Sequence, residues 1–321
     1  MRVPTRLIAF GGILGLAFSA AALIGASVEP AGEEPPGAAD TQGGDHPEPA
    51  VARREGHGEG HATVKGPAAG GLAVSQDGLT LRAERVFFAA GRPDRFAFRI
   101  VDARGRVQRD EFELESEREM HLIVVRRDTA AYQHLHPRKG GDGVWSVDLE
   151  LPEGGVYRAF ADFMVGGRQR TLATDLFVPG DFRPEGLPAP RATASADGYG
   201  VRLRAPSLRA GRESELSFRV IREGRVEPGL EPYLGAKGHL VALRGGDLAY
   251  LHVHPEAGAP SAPSPHGREG PHAHSGDERE AGADDIRFAA TFPTAGRYRL
   301  FLQFRAAGRV RTVHYTLEVP R

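Results

Sequence analysis

The chain contains no cysteine in 321 residues. That removes disulfide frameworks, thiolate metal sites and cysteine nucleophiles at once, so any metal ion must be held by nitrogen and oxygen ligands. Lysine is nearly absent, with only Lys65, Lys139 and Lys237 among 41 basic residues, and the formal net charge is -1. No long basic run occurs, which excludes a nucleic-acid surface built on clustered positive charge. Also lacking are a GxSxG elbow, a phosphate-binding glycine loop, an HExxH helix and an evident pair of catalytic carboxylates, so the sequence is read as that of a non-enzyme.

One long apolar run is present. Arg2 and Arg6 precede an uncharged stretch from Leu7 to Val28, long enough to cross a bilayer, where about 20 residues suffice. Residues 1–28 are therefore expected to be a signal peptide or signal anchor. The basic side should stay in the cytoplasm and the body be exported, giving a protein that is membrane-anchored or secreted. Residues 29–71 are rich in Gly, Pro, Glu and Ala with almost no large apolar side chains, and read as a flexible tether.

From Leu72 onward, short segments rich in Val, Phe, Tyr and Leu alternate with Gly, Pro and Asp, and no convincing helical stretch occurs. Seven strands are expected: Leu79 to Ala83, Arg95 to Val101, His121 to Arg126, Tyr132 to His136, Val144 to Leu149, Gly155 to Phe163 and Gln169 to Phe177. That number suggests an immunoglobulin-like β-sandwich over residues 72–179. A proline-rich linker over 180–191 follows, and then the pattern restarts. RESELSFRVI (Arg212 to Ile221) repeats RPDRFAFRIV (Arg92 to Val101), PTAGRYRLFLQF repeats PEGGVYRAFADF, and RVRTVHYTLEV repeats RQRTLATDLFV. The protein is thus expected to be all-β, with two tandem sandwiches, the second over 192–321. An insertion at 256–285, rich in Pro, Gly, Ser, Asp and Glu, reads as a disordered loop.

The closest internal match needs no gap: MHLIVVRRDTAAYQHLHP (Met120 to Pro137) against GHLVALRGGDLAYLHVHP (Gly238 to Pro255). His121, His134 and His136 align with His239, His252 and His254. Each segment reads as a hairpin, with turns centred on Arg126 to Thr129 and Arg244 to Asp247. His121 then lies across from His134, and His239 from His252. Residues two apart on a strand, and residues opposed on paired strands, share a face, so each trio should converge. Three imidazoles with an open position suit zinc, and imidazole also suits copper. The expected function is extracytoplasmic copper or zinc handling with one three-histidine site per domain. The alternative is a cell-envelope binding or scaffold module in which the histidines are structural.

Asp162 and Gln303 occupy matching strand positions; they are candidate oxygen partners, but are expected to be solvated. Met120 and Met164 are assigned to packing. His46, His57 and His61 in the tether, and His266, His272 and His274 in the insertion, resemble weak metal-collecting tracts or are simply solvated.

The segments MHLIVVRRD with QHLHP, GGVYRAFADF, and EPYLGAKGHLVALR with YLHVHP resemble those of exported bacterial proteins of largely unknown function, some described as heavy-metal-binding and linked to metal efflux. The resemblance spans roughly residues 72–321. It implies a β-sandwich, the six aligned histidines as candidate ligands, and an envelope or metal-efflux protein as partner.

Overall fold

The computed structural model describes residues 70–255 and 284–321. The apolar stretch Leu7 to Val28, most of the tether and most of the insertion lie outside the described residues, as do His46, His57, His61, His266, His272 and His274. All strand ladders are antiparallel.

Seven main strands build the first sandwich: β1 (Leu79–Ala83), β2 (Pro93–Asp102), β3 (His121–Arg126), β4 (Gln133–Leu135), β5 (Trp145–Glu150), β6 (Gly155–Val165) and β7 (Arg168–Val178). One sheet runs β1-β2-β5, edged by Ser75–Gln76 and Arg138–Lys139; the other runs β7-β6-β3-β4. The second sandwich repeats this with β8 (Tyr199–Arg204), β9 (Glu213–Arg222), β10 (Gly238–Arg244), β11 (Tyr250–His252), β12 (Ile286–Thr291), β13 (Gly296–Ala306) and β14 (Arg309–Val319). Its sheets run β8-β9-β12 and β14-β13-β10-β11.

The strand order, first, second and fifth in one sheet against third, sixth and seventh in the other, is immunoglobulin-like. A tyrosine corner marks each copy. Tyr157 Oη donates to the Glu153 carbonyl at 2.9 Å, and Tyr298 Oη to the Thr294 carbonyl at 2.9 Å. These bonds hold the chain where it turns into β6 and β13, as in other sandwiches of this class.

Alternation along β3 explains what lies between the two copies. Leu122 and Val124 point into the first core, while Ile123 and Val125 point the other way into a third apolar cluster. On β10, Leu240 and Ala242 fill the second core, and Val241 and Leu243 join the same third cluster. The β7-β6-β3-β4 and β14-β13-β10-β11 sheets therefore pack outer face to outer face. Paired rings lock this seam reciprocally: Tyr132 stacks on Phe301 with centroids 3.9 Å apart, and Tyr250 meets Phe160 at 5.4 Å. Each buried aliphatic side chain there contributes about 1.5–3 kcal/mol.

The last tether residues are fixed into this seam. Gly70 and Tyr250 exchange both backbone hydrogen bonds, at 3.2 and 2.9 Å, while the Gly71 amide donates to the Thr171 carbonyl at 2.9 Å. The chain thus stitches the second sandwich to the first before entering it. Gly71 is required there: its φ is +68°, and a Cβ would lie 2.5 Å from the Phe160 ring. At the far end of the insertion, Asp285 is buried and accepts from Ser217 Oγ at 3.1 Å and Arg219 Nε at 2.8 Å, so it belongs to the second sandwich.

Candidate functional site

The histidine hairpins form as expected, but their register differs. Ile123, not His121, pairs with His134, and Val241, not His239, pairs with His252. Both turns centre one residue later than expected. Asp128 Oδ1 accepts from the Ala130 amide at 3.2 Å and Asp247 Oδ1 from the Ala249 amide at 3.1 Å, a side-chain turn that draws an extra residue into each loop. The resulting offset is two residues, an even number, so it leaves every side chain on its face.

His121, His134 and His136 do converge. Their ring centroids are 5.2, 5.2 and 4.8 Å apart, and one ring nitrogen from each lies within 4.8 Å of the others. His121 Nδ1 and His134 Nε2 are 3.0 Å apart. Two nitrogens about 2.0–2.1 Å from a tetrahedral zinc ion lie about 3.3 Å from each other, and the corresponding ring centroids about 5 Å, so the spacing fits one shared ion.

The second sandwich completes the surroundings. The His239 ring lies 6.3 Å from both His121 and His134. A cavity of about 40 Å³ is lined by His121, His134, Asp162 and His239, among others. Asp162 and Gln303 are not solvated as expected: the seam buries both, leaving them 1% and 7% exposed. Gln303 Oε1 accepts from His134 Nδ1 across the seam at 2.7 Å. Asp162 accepts from Thr171 Oγ1 at 2.8 Å, Gln169 Nε2 at 2.8 Å and Tyr250 Oη at 3.2 Å. Met120 lies in the first core, away from the cluster, as packing requires. The side chains of His252 and His254 lie outside what is described, so the second trio has no geometry to set beside the first.

Protonation follows from the partners. His121 Nε2 donates to the Glu115 carbonyl at 3.0 Å, which leaves Nδ1 with its lone pair. His134 Nδ1 donates to Gln303, which leaves Nε2 with its lone pair. Two lone pairs then face each other across 3.0 Å, a repulsion relieved by a cation between them. His136 Nε2 is buried without a hydrogen-bond partner among the described residues. Burial, and secondly the neighbouring imidazoles, hold His134 well below the usual histidine range; burial, then His121 and Arg118, push His136 down to about 4. Both are therefore neutral at pH 7, the form that ligates metal.

Sequence reasoning did not identify the seam, although LIVV and LVAL are unbroken apolar runs, the mark of strands buried on both faces. Nor did it identify Tyr132, Phe160, Tyr250 and Phe301, whose aligned positions are the reciprocal contacts.

An all-β chain of two immunoglobulin-like sandwiches, joined face to face over a cluster of imidazoles, is the class of protein defined by this architecture. The chain belongs to the family described as "Domain of unknown function (DUF8832)", which matches twice, over residues 73–180 and 194–321. No curated protein matches. Among solved structures, the Escherichia coli adhesin FdeC is similar at 16% identity over 77% of this chain and 65% of that one, with a TM-score of 0.25. Salmonella alpha-2-macroglobulin is similar at 14% identity, 78% and 15% coverage and TM-score 0.24; the bacterial integrin-binding protein invasin at 14%, 77%, 41% and 0.23. The chain thus spans less than two thirds of each.

Proposed function

We propose that this protein binds one transition metal ion outside the cytoplasm, through His121, His134 and His136 at the seam of its two sandwiches, and hands it to or withholds it from an envelope or metal-efflux partner. The observation that carries the reading is the convergence of three imidazole nitrogens, one of them buried with no hydrogen-bond partner among the described residues. The ligand set is all nitrogen with carboxylates nearby, and the thioether of Met120 is committed to the core. That favours Zn²⁺ or Cu²⁺ over Cu⁺. His239, its ring 6.3 Å from those of His121 and His134, is the imidazole that the second sandwich offers for a fourth position. Binding rather than catalysis fits the space: about 40 Å³ holds a few waters, whereas substrate pockets run to about 300–1,000 Å³. Export rests on Arg2, Arg6 and the apolar stretch after them.

A structural role is the second reading, and one observation favours it. Turning the Gln303 amide over, with Thr312 Oγ1 at 3.2 Å donating, makes His134 Nε2 a donor to His121 Nδ1 and leaves an ordinary hydrogen-bonded brace.

The test is a chelator-competition titration of the full chain with Zn²⁺ and Cu²⁺. His46, His57, His61, His266, His272 and His274 are first replaced by Asn so that they do not contribute. One ion per chain is expected, weakened at least about 100-fold in His134→Gln and in His136→Gln, where a ligand and not merely its support is lost. Absence of stoichiometric binding, with both variants melting at lower temperature, overturns the metal reading in favour of the brace.

A further inference from the structure

The duplication provides an internal reference for a second site. In the first sandwich Arg158 lies on the outer face of β6 above Phe160, 5.7 Å from the ring centroid. All its donor edges are used: Nη1 donates to Asp175 Oδ1 at 2.9 Å, while Nε and Nη2 fork onto the Gly71 carbonyl at 3.0 and 2.8 Å. Asp175 also takes Arg127 Nη2 at 2.8 Å.

Arg299 is the counterpart on β13, 5.9 Å from the Phe301 centroid. Its surroundings have lost each of those partners. Thr316 stands where Asp175 does, paired with Arg299 in the ladder as Asp175 is with Arg158. Gly245 replaces Arg127 in the aligned hairpin. The leading segment of this sandwich, Arg191 to Ser195, brings no carbonyl onto the guanidinium. Arg299 Nη1 donates only to Thr316 Oγ1, at 3.2 Å, and Nε is buried with no hydrogen-bond partner among the described residues. In place of the missing groups there is a cleft of about 560 Å³, lined by Arg191, Thr193, Ser195, Arg299, His314 and Thr316. Desolvation lowers the Arg299 pKa, and the carboxylate acting on it from a distance, Glu185, is already paired with Arg126.

We infer that this cleft is a binding site for a small organic carboxylate, whose oxygens take the Nη end of Arg299, the end that Asp175 takes on Arg158 in the first sandwich. The paired Nη1 and Nη2 groups of a guanidinium donate to two carboxylate oxygens in parallel, so this end selects a planar anion. Thr193 and Ser195 add hydroxyl donors and Arg191 a second positive charge at the rim. The volume falls in the range of small-molecule sites. His314, on the same wall, packs its ring on Phe301 with centroids 5.0 Å apart and provides an uncharged aromatic side for the apolar part of the ligand.

The site is tested on the full chain by calorimetric titration with benzoate and succinate, with benzamide and succinamide as neutral isosteres and inorganic phosphate as a third arm. The expected result is carboxylate binding at least about tenfold tighter than either amide and than phosphate, abolished in Arg299→Gln. Thr316→Asp keeps the test decisive if the arginine variant fails to fold: it supplies the carboxylate from within, so it should abolish binding and raise the melting temperature. Equal binding of amides, preference for phosphate, retention of binding in Thr316→Asp, or no binding of any probe overturns the proposal.

Discussion

The two sandwiches share their strands, tyrosine corners and core positions, yet differ in how their charged side chains are paired. In the first, Arg126 is 2% exposed and holds Asp128, Glu153 and Glu185, so that the interdomain linker is fastened to it. Its counterpart Arg244 is 23% exposed and holds mainly Asp247 beside it. The first copy likewise closes Arg158 with Asp175 and Gly71, whereas the second leaves Arg299 open. The shared scaffold follows the repeat; the partners of its charged side chains differ, making one copy the electrostatically closed half and the other the open half.

That contrast can be broken at the seam first. Phe160→Ala and Phe301→Ala each remove one ring of a reciprocal pair, and each should cost about 3–5 kcal/mol in denaturant unfolding. Equal losses would mean that the seam treats the copies alike; a loss confined to one would make the symmetry superficial. Next is the charge network. Arg126→Ala leaves the nearly buried Asp128 without its cation and should cost about 3 kcal/mol, against about 1 kcal/mol or less for Arg244→Ala. Similar values for both would remove the distinction between a closed and an open copy.

The leading segments sharpen the comparison further. Gly71→Ala forces a left-handed backbone on alanine and drives Cβ into Phe160, for about 2 kcal/mol, whereas Arg191→Ala in the second copy should stay within about 0.5 kcal/mol. Thermal melts of the two variants read this directly. The smallest effect concerns acid. Partial desolvation of a residue that keeps an exposed edge, then Arg299, push His314 down to about 4 from an ordinary value of 6.5. Between those values the unfolded chain binds the proton and the folded one does not, so stability falls as pH drops from about 6.5 toward 4. His314→Phe should flatten that part of the pH profile. Its first-copy counterpart is Ala173, which has nothing to titrate.

Much of this was legible in the residues. The β1 and β3 bounds match those read from alternation, and the others differ by a few residues at their ends. The shared face of His121, His134 and His136 followed from even spacing, and survived a register error because that error was also even. The turn positions were missed because Asp128 and Asp247 act on the backbone two residues ahead, which hydrophobic patterning does not register. Asp162 and Gln303 were placed in water because a polar residue on the outer face of a lone sandwich is solvated. A second sandwich laid over that face reverses the conclusion.

By itself the sequence determined the strands, the duplication and which side chains share a face, because period-two alternation and turn chemistry are local properties of the chain. Only the tertiary structure decided that the two outer faces meet, that Gln303 reaches His134 and His239 approaches the first trio, and that Arg299 lacks what Arg158 has. Those relations join residues more than one hundred positions apart, and packing, which has no local signature, brings them together.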